Sequence, residues 1–383
     1  MTVHRMGSAA EQAVAAVREL EWFPQDAPIV LGYHPVARMN PYQALLYSDT
    51  FDNGIAAVPL ERLADLDSLA LAAASVGAPA VFNLHWTNAI IGDAPSLDVA
   101  QERVAEFHVQ LDRFRARGGR IVWTVHNVLP HRCPFPTAEA SLRQGLADRA
   151  DLLHIMASET VELASPHYTL DPSKIVRIPH PSYLGAYPTW ISQRRARFEL
   201  ELGFDDLVWG FIGEVRQNKG LALLADALDE VVRRQPEGNH RLVMAGRHPD
   251  GDDTDTLRRL RRHPWVLSWP FRVQHDDMST FLRATDVVIL PYDQSLNSGM
   301  VHLASTLERP FIGPLSGGMV ETLELAPGIG FEPGNAVSLA DAMLDARDLR
   351  SDDVRARALA FAESRSPTVI SGAFSEAVRS IVD

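Results

Sequence analysis

Residues 211–220 read FIGEVRQNKG, and the fold follows from how this stretch is read. Leu207, Val208, Trp209, Phe211 and Ile212 make a short apolar run, which predicts a buried strand stopping at Gly213. Arg216 and Lys219 sit in the loop that follows. Gly220 then opens a segment with Leu221, Leu224, Leu228, Val231 and Val232 at helical spacing. Strand, glycine turn and helix start, in that order, build an anion site. The unpaired N–H groups and the positive end of the helix dipole favour a phosphate. Arg216 offers paired donors to phosphate oxygens, and Lys219 a mobile point charge. Taken alone, the stretch is equally readable as a surface loop with two solvated cations.

The same alternation runs through the chain. Before the stretch, strands are predicted at Ile29–His34, Ile55–Val58, Ala80–Trp86, Arg120–His126, Leu152–Met156 and Ile175–Ile178. A helix starts at Asn40 and Pro41, and Val104, Phe107, Leu111 and Phe114 mark the apolar face of another. After it, strands are predicted at Leu242–Gly246, Val266–Trp269, Val287–Pro291, Pro310–Ile312 and Gly328–Phe331. Short apolar strands alternating with helices argue parallel, doubly wound sheets. At 383 residues the chain exceeds one ordinary core, so two such domains are expected. The passage Pro179–Trp190, PHPSYLGAYPTW, reads as the join. The expected division is 1–185, 186–365 and a final helix over 366–383, its apolar side formed by Val369, Ile370, Phe374 and Val378.

Composition narrows the function. The net charge of -13 argues against nucleic acid as a partner. The single cysteine, Cys133, excludes an intrachain disulfide framework and a cysteine-rich metal site. No apolar run is long enough to span a bilayer, and the start carries Glu11 and Glu19 rather than a signal core. A cytoplasmic protein is expected, with peripheral contact at the inner membrane face as an option through Arg113, Arg115, Arg117 and Arg120. Asp250–Asp255 lacks the calcium-loop pattern and reads as a solvated loop. The cluster of Arg258, Arg259, Arg261 and Arg262 reads as a solvated helix face.

Ligands of doubly wound sheets gather at the carboxyl ends of strands. His34, His85 with Trp86, His126 with Asn127, and His180 all fall there in the first half. In the second half, Tyr292–Met300 follows a strand and leads to a helix beginning near Ser298 and Gly299, a candidate second phosphate contact unless Ser298 is simply a helix cap. A third loop, Ser316–Glu321, places a glycine pair before another helix.

FIGEVRQNKG, LVMAG, TDVVILPYDQSLNSGM and RPFIGPLSGGMVE, in this order, resemble the donor-binding domain of GT-B glycosyltransferases. NPYQALLY, HWTN, WTVHNVLPH and IPHPSYLGAYP resemble the bacterial exopolysaccharide subgroup that includes the xanthan β-mannosyltransferase. The resemblance implies two Rossmann-like domains facing across a cleft, and a C-terminal helix returning to the first. It implies a nucleoside diphosphate sugar, first GDP-mannose, and a lipid-linked glycan or glycolipid acceptor. No cofactor and no metal are expected. Arg216, Lys219, Ser298 and Gly299, with Asn297, match the donor diphosphate site, and His126 matches the histidine that approaches the transferred sugar. Asp293, Gly213, Gly318 and Glu321 are placed near the sugar or nucleotide. One departure stands out. Where the large retaining family carries two glutamates around this loop, this chain has Leu296 and Ala304, so ribose recognition must differ.

Transfer from a diphosphate needs the leaving charge met by cations and helix starts. An inverting route also needs a base, for which His126, His131, His34, Asp49 and Glu139 are candidates, whereas a retaining route does not. Arg132 follows His131 where the subgroup often has an acidic residue. A UDP-sugar-dependent transferase and a non-catalytic partner of another transferase are the alternative readings. Arg247–His248 and Trp269–Phe271 are expected near the nucleotide base.

Overall fold

Apolar strands that cannot face water on either side end up as parallel sheets covered by helices on both faces. A computed structural model describes residues 8–20, 28–130, 133–215, 219–248, 255–292 and 296–382. They form two such sheets, in two units: 1–181 with 367–383, and 182–366.

In the first unit the strands are β1 (Ile29–His34), β2 (Ile55–Pro59), β3 (Ala80–Leu84), β4 (Arg120–Thr124), β5 (Leu152–Ile155) and β6 (Ile175–Arg177). All pair in parallel, in the order β2-β1-β3-β4-β5-β6. Alternation along β1 serves both faces. Val30 points into a core with Phe82, Phe107, Leu111, Phe114 and Trp123, while Ile29 and Leu31 point into the opposite one. That second core is closed by Ile370, Phe374 and Val378 of the helix Pro367–Arg379. The Asp49 amide donates to Ser371 Oγ at 3.0 Å and anchors the same helix.

The second unit comprises β7 (Leu207–Ile212), β8 (His240–Ala245), β9 (Val266–Trp269), β10 (Val287–Ile289), β11 (Phe311–Pro314) and β12 (Gly328–Phe331). The order is β12-β11-β10-β7-β8-β9, again all parallel. The helix Leu221–Arg234 buries Leu221, Leu224, Leu228 and Val231, the stripe that its spacing predicts. Trp209 is buried in this core, and its indole N–H donates to the Met343 carbonyl at 2.8 Å.

Strand order reverses between β1 and β3 in the first sheet and between β7 and β10 in the second. These are the switch points at which loops splay apart and leave a crevice. β3 and β4 stop two residues before the predicted Trp86 and His126. At that point the backbone turns off the ladder, and the side chains after it stand at the strand ends instead of inside a layer.

Candidate functional site

Polar side chains gather at the carboxyl ends of the strands in each unit. In the first, β3 delivers Asn83, His85 and Trp86, β4 delivers Thr124 and His126, and β5 delivers His154. The short helix Tyr42–Leu46 lays Tyr42 and the following Tyr47 over them, with Asn40 Oδ1 accepting from the Tyr42 amide at 3.1 Å. The rings of Trp86 and His126 stack at 4.2 Å with 17° between planes, and Tyr42 meets His126 edge-on at 4.8 Å. Tyr47 and His85 share a 2.7 Å hydrogen bond, and His85 Nδ1 lies 3.1 Å from His126 Nε2. Phe374 packs its ring 5.8 Å from Tyr47 and 5.7 Å from His154.

Burial keeps these histidines neutral. It pushes His154 and His180 down to about 4. His126 and His85 are held well below the ordinary imidazole range, each first by burial, then His126 by His85, His154 and His180, and His85 by His154 and His34. The folded pKa is therefore depressed below the unfolded value near 6.5. The unfolded chain takes up protons first as pH falls, so the stability these rings lend is complete above pH 6.5 and is lost on descent toward 4. From His154 and His180 the loss is about 2 kcal/mol each by pH 5. The urea midpoint is expected to drop clearly between pH 7.5 and pH 5. An unmoved midpoint would show that neither ring is kept neutral by the fold.

Behind His126 lies a buried ion pair. Arg143 Nε donates to Glu139 Oε1 at 2.8 Å, Thr87 Oγ1 donates to the same oxygen at 2.6 Å, and Arg143 Nη1 reaches the Asn127 carbonyl at 2.7 Å. Arg143 also lies over the rings of Trp123 and Tyr168. Glu139, a candidate base from sequence, is engaged here at 3% exposure. His34 is buried, its Nδ1 donating to the Leu60 carbonyl at 2.8 Å. His131 and Arg132 lie outside the described residues.

In the second unit backbone meets backbone. A Cβ on Gly220, which has φ +71°, would lie 1.7 Å from the Pro291 carbonyl oxygen, and one on Gly246 would lie 1.5 Å from that of Gly213. Only glycine permits these approaches. They draw the loop after β7 against the ends of β8 and β10. Lys219 Nζ sits 4.2 Å from the centre of the half-buried Tyr292 ring. Beyond it, the helices Gly299–Thr306 and Gly318–Leu325 open on one pocket, lined by Asn297, Ser298, Val301, His302, Gly318, Met319 and Thr322. Ser298 precedes the first helix, yet its hydroxyl makes no capping bond to it. Glu321 lies in the first turn of the second helix. Arg216 and Asp293 fall outside the described residues.

The two arginine clusters are tied down in part. Arg259 pairs with Asp226 at 2.7 Å and with Asp229, and Arg258 with Asp255 at 2.5 Å. Arg117 pairs with Asp67 at 3.3 Å and Arg120 with Asp151 at 3.5 Å. Most of the Asp250–Asp255 run lies outside the described residues. Among the described residues no helix is long and apolar enough to cross a membrane. Sequence reasoning missed Tyr42 and His154 as neighbours of His126, Asn83 and Thr124 as polar groups bonded to Tyr47 and to each other, and His302 and Thr322 as lining of the pocket. Their signal was position alone: His302 and Thr322 each stand four residues beyond Ser298 and Gly318 on a helix.

Comparison with known proteins agrees with this architecture. Residues 206–348 match the family described as Glycosyl transferases group 1. The D-inositol 3-phosphate glycosyltransferase of Corynebacterium efficiens is 25% identical over 288 residues, which is 69% of this chain and 67% of that protein. Its counterpart in Corynebacterium kroppenstedtii is 25% identical over 64% of this chain, and the match spans only 58% of that relative's length. Anabaena HepE, solved in complex with UDP, superposes with a TM-score of 0.66 at 14% identity, covering 92% of this chain and 100% of HepE. The chain thus has the GT-B architecture of two α/β domains, and its second unit carries, over residues 206–348, the match to the Glycosyl transferases group 1 family.

Proposed function

We propose that this protein is a glycosyltransferase that moves a hexose from a nucleoside diphosphate sugar to a glycan or glycolipid acceptor, with no metal or cofactor. The observation that carries this reading is the pocket at the second sheet, where two helix starts, Ser298–Gly299 and Gly317–Gly318, converge beside the switch point. Helix starts are the backbone's own anion holders, and two of them suit a diphosphate. Lys219 and Arg216, on the loop after β7, add the positive charge that a departing pyrophosphate needs. Asn297 and Gly213 border the same loops, and Asp293, Glu321 and Gly318 are assigned to the sugar or nucleotide. A carboxylate there grips hydroxyl groups rather than phosphate. His126, with Trp86 stacked on it, is assigned to the transferred sugar.

GDP-mannose and a lipid-linked acceptor of polysaccharide assembly are the first substrates to try, on the resemblance of the first half to the exopolysaccharide subgroup. A UDP-sugar is the second reading. It is favoured by HepE, which was solved with UDP and with UDP-glucose. The names of the corynebacterial relatives make a phosphorylated inositol the matching acceptor to test.

Thermal shift with GDP, UDP, GDP-mannose and UDP-glucose separates these readings. A ligand at 100 times its Kd stabilises by about 2.7 kcal/mol. A shift with guanine nucleotides alone supports the first donor and one with uridine nucleotides alone the second, while none at all makes the chain a non-catalytic partner. Lys219→Ala is expected to cut turnover by a factor of about 30 to 1,000, corresponding to about 2–4 kcal/mol of barrier. Full turnover in that variant would remove Lys219 from the diphosphate site.

A further inference from the structure

Asn83 and His85 at the end of β3, Tyr47 after the helix Tyr42–Leu46 and His126 after β4 stand on three different segments, yet one continuous line of hydrogen bonds joins them. We propose that this line fixes which nitrogen of His126 carries its proton, and that the side-chain amide of Asn83 sets the line's polarity. The amide Nδ2 can only donate, and it reaches the Tyr47 hydroxyl oxygen at 2.8 Å. The Tyr47 proton is then directed at His85 Nε2, 2.7 Å away. A neutral imidazole accepting at Nε2 carries its hydrogen on Nδ1, and that hydrogen points at His126 Nε2, 3.1 Å away. His126 therefore accepts at Nε2 and bears its proton on Nδ1. The nitrogen outside the line is a donor, suited to a sugar oxygen and not to taking a proton from an acceptor.

The far end shows why Asn83 is the control point. Thr124 Oγ1 donates to Asn83 Oδ1 at 3.1 Å and also stands 3.3 Å from His154 Nδ1. His154 donates from Nε2 to the Ile178 carbonyl at 2.9 Å, so its Nδ1 is an acceptor. The single Thr124 proton thus faces two acceptors, and the shorter contact takes it. Turning the Asn83 amide over would reverse every bond. Tyr47 would donate to Oδ1, His85 and His126 would donate from Nε2, and His126 Nδ1 would become a bare acceptor. Asn83, His85, Thr124 and His154 are at most 1% exposed, while Tyr47 and His126 are half-buried. Tyr47, His85 and Asn83 are positioning residues in this scheme. The consequence for transfer rests on the role proposed above for His126; the tautomer itself does not.

The test is imidazole nitrogen NMR on protein labelled at histidine, with the His126 signals identified by their loss in His126→Gln. The wild type is expected to show His126 protonated at Nδ1 and bare at Nε2. Tyr47→Phe keeps the ring and removes the link, and is expected to give His126 in both tautomers. Asn83→Asp, an acceptor on both oxygens, is expected to drive His126 to Nε2–H; should that buried charge prevent folding, Tyr47→Phe carries the test. Wild-type His126 protonated at Nε2, or a tautomer unmoved in Tyr47→Phe, overturns the proposal. In turnover assays Tyr47→Phe is expected to lower kcat about tenfold with the donor KM unchanged, since a wrongly placed imidazole proton weakens the transition state and not donor binding. A tautomer change without a rate loss upholds the line and removes His126 from the transfer step.

Discussion

Gly220→Ala is expected to destabilise the protein by about 2–5 kcal/mol and to abolish nucleotide binding at the same time. Two costs add. An L side chain in the left-handed region costs about 1–2 kcal/mol. The methyl group would also lie 1.7 Å from the Pro291 carbonyl oxygen and 2.6 Å from its carbon, both backbone atoms that no rotamer change can clear. Separating two backbone segments in a packed unit costs about 1–3 kcal/mol more. The segments are the start of the helix Leu221–Arg234 and the end of β10, so the displacement would pass into the Lys219 and Ser298 loops. The natural control is Gly334, whose φ is +73° with open space where a Cβ would stand. Gly334→Ala is expected to cost only the conformational part, about 1–2 kcal/mol, and to leave nucleotide binding intact. Chemical denaturation and titration with GDP and UDP read both quantities. Equal behaviour of the two variants would mean that the close approach at Gly220 does no structural work.

Arg143→Met is expected to cost about 3–5 kcal/mol, because it leaves the Glu139 carboxylate buried without its cation. Glu139 is 3% exposed and would keep only the Thr87 hydroxyl at 2.6 Å. Replacing both partners, Glu139→Leu with Arg143→Met, removes the stranded charge, so most of the stability should return. Activity should not return with it. Arg143 holds the Asn127 carbonyl at 2.7 Å, next to His126, and neither methionine nor leucine can replace that bond. A double variant that is stable and slow is thus the expected result. A stable double variant with full turnover would show that the Asn127 tie does not serve the site.

The β strands and their order along the chain were legible from the sequence, because buried parallel strands leave a pattern that depends on nothing distant. Ile29–His34, Val266–Trp269 and Gly328–Phe331 are found with the predicted bounds. The helix Leu221–Arg234 and its buried stripe were equally open to reading. Histidines at strand ends were visible one by one as His34, His85, His126 and His180. What they do to each other was not. His85 and His126 lie 41 residues apart and Tyr47 lies 38 before His85, and their contacts depend on strand order and on where each strand leaves the ladder.

Sequence alone determined the class of fold, two doubly wound α/β units with glycine turns before helices, because period, breaker residues and strand length are local properties of the chain. Only the tertiary structure decided that Gly220 must be glycine on account of Pro291, that Glu139 belongs to Arg143, and that His126 sits at one end of a line of hydrogen bonds. Those facts are distances between segments remote in sequence. They come into being when parallel pairing brings the carboxyl ends of separate strands together.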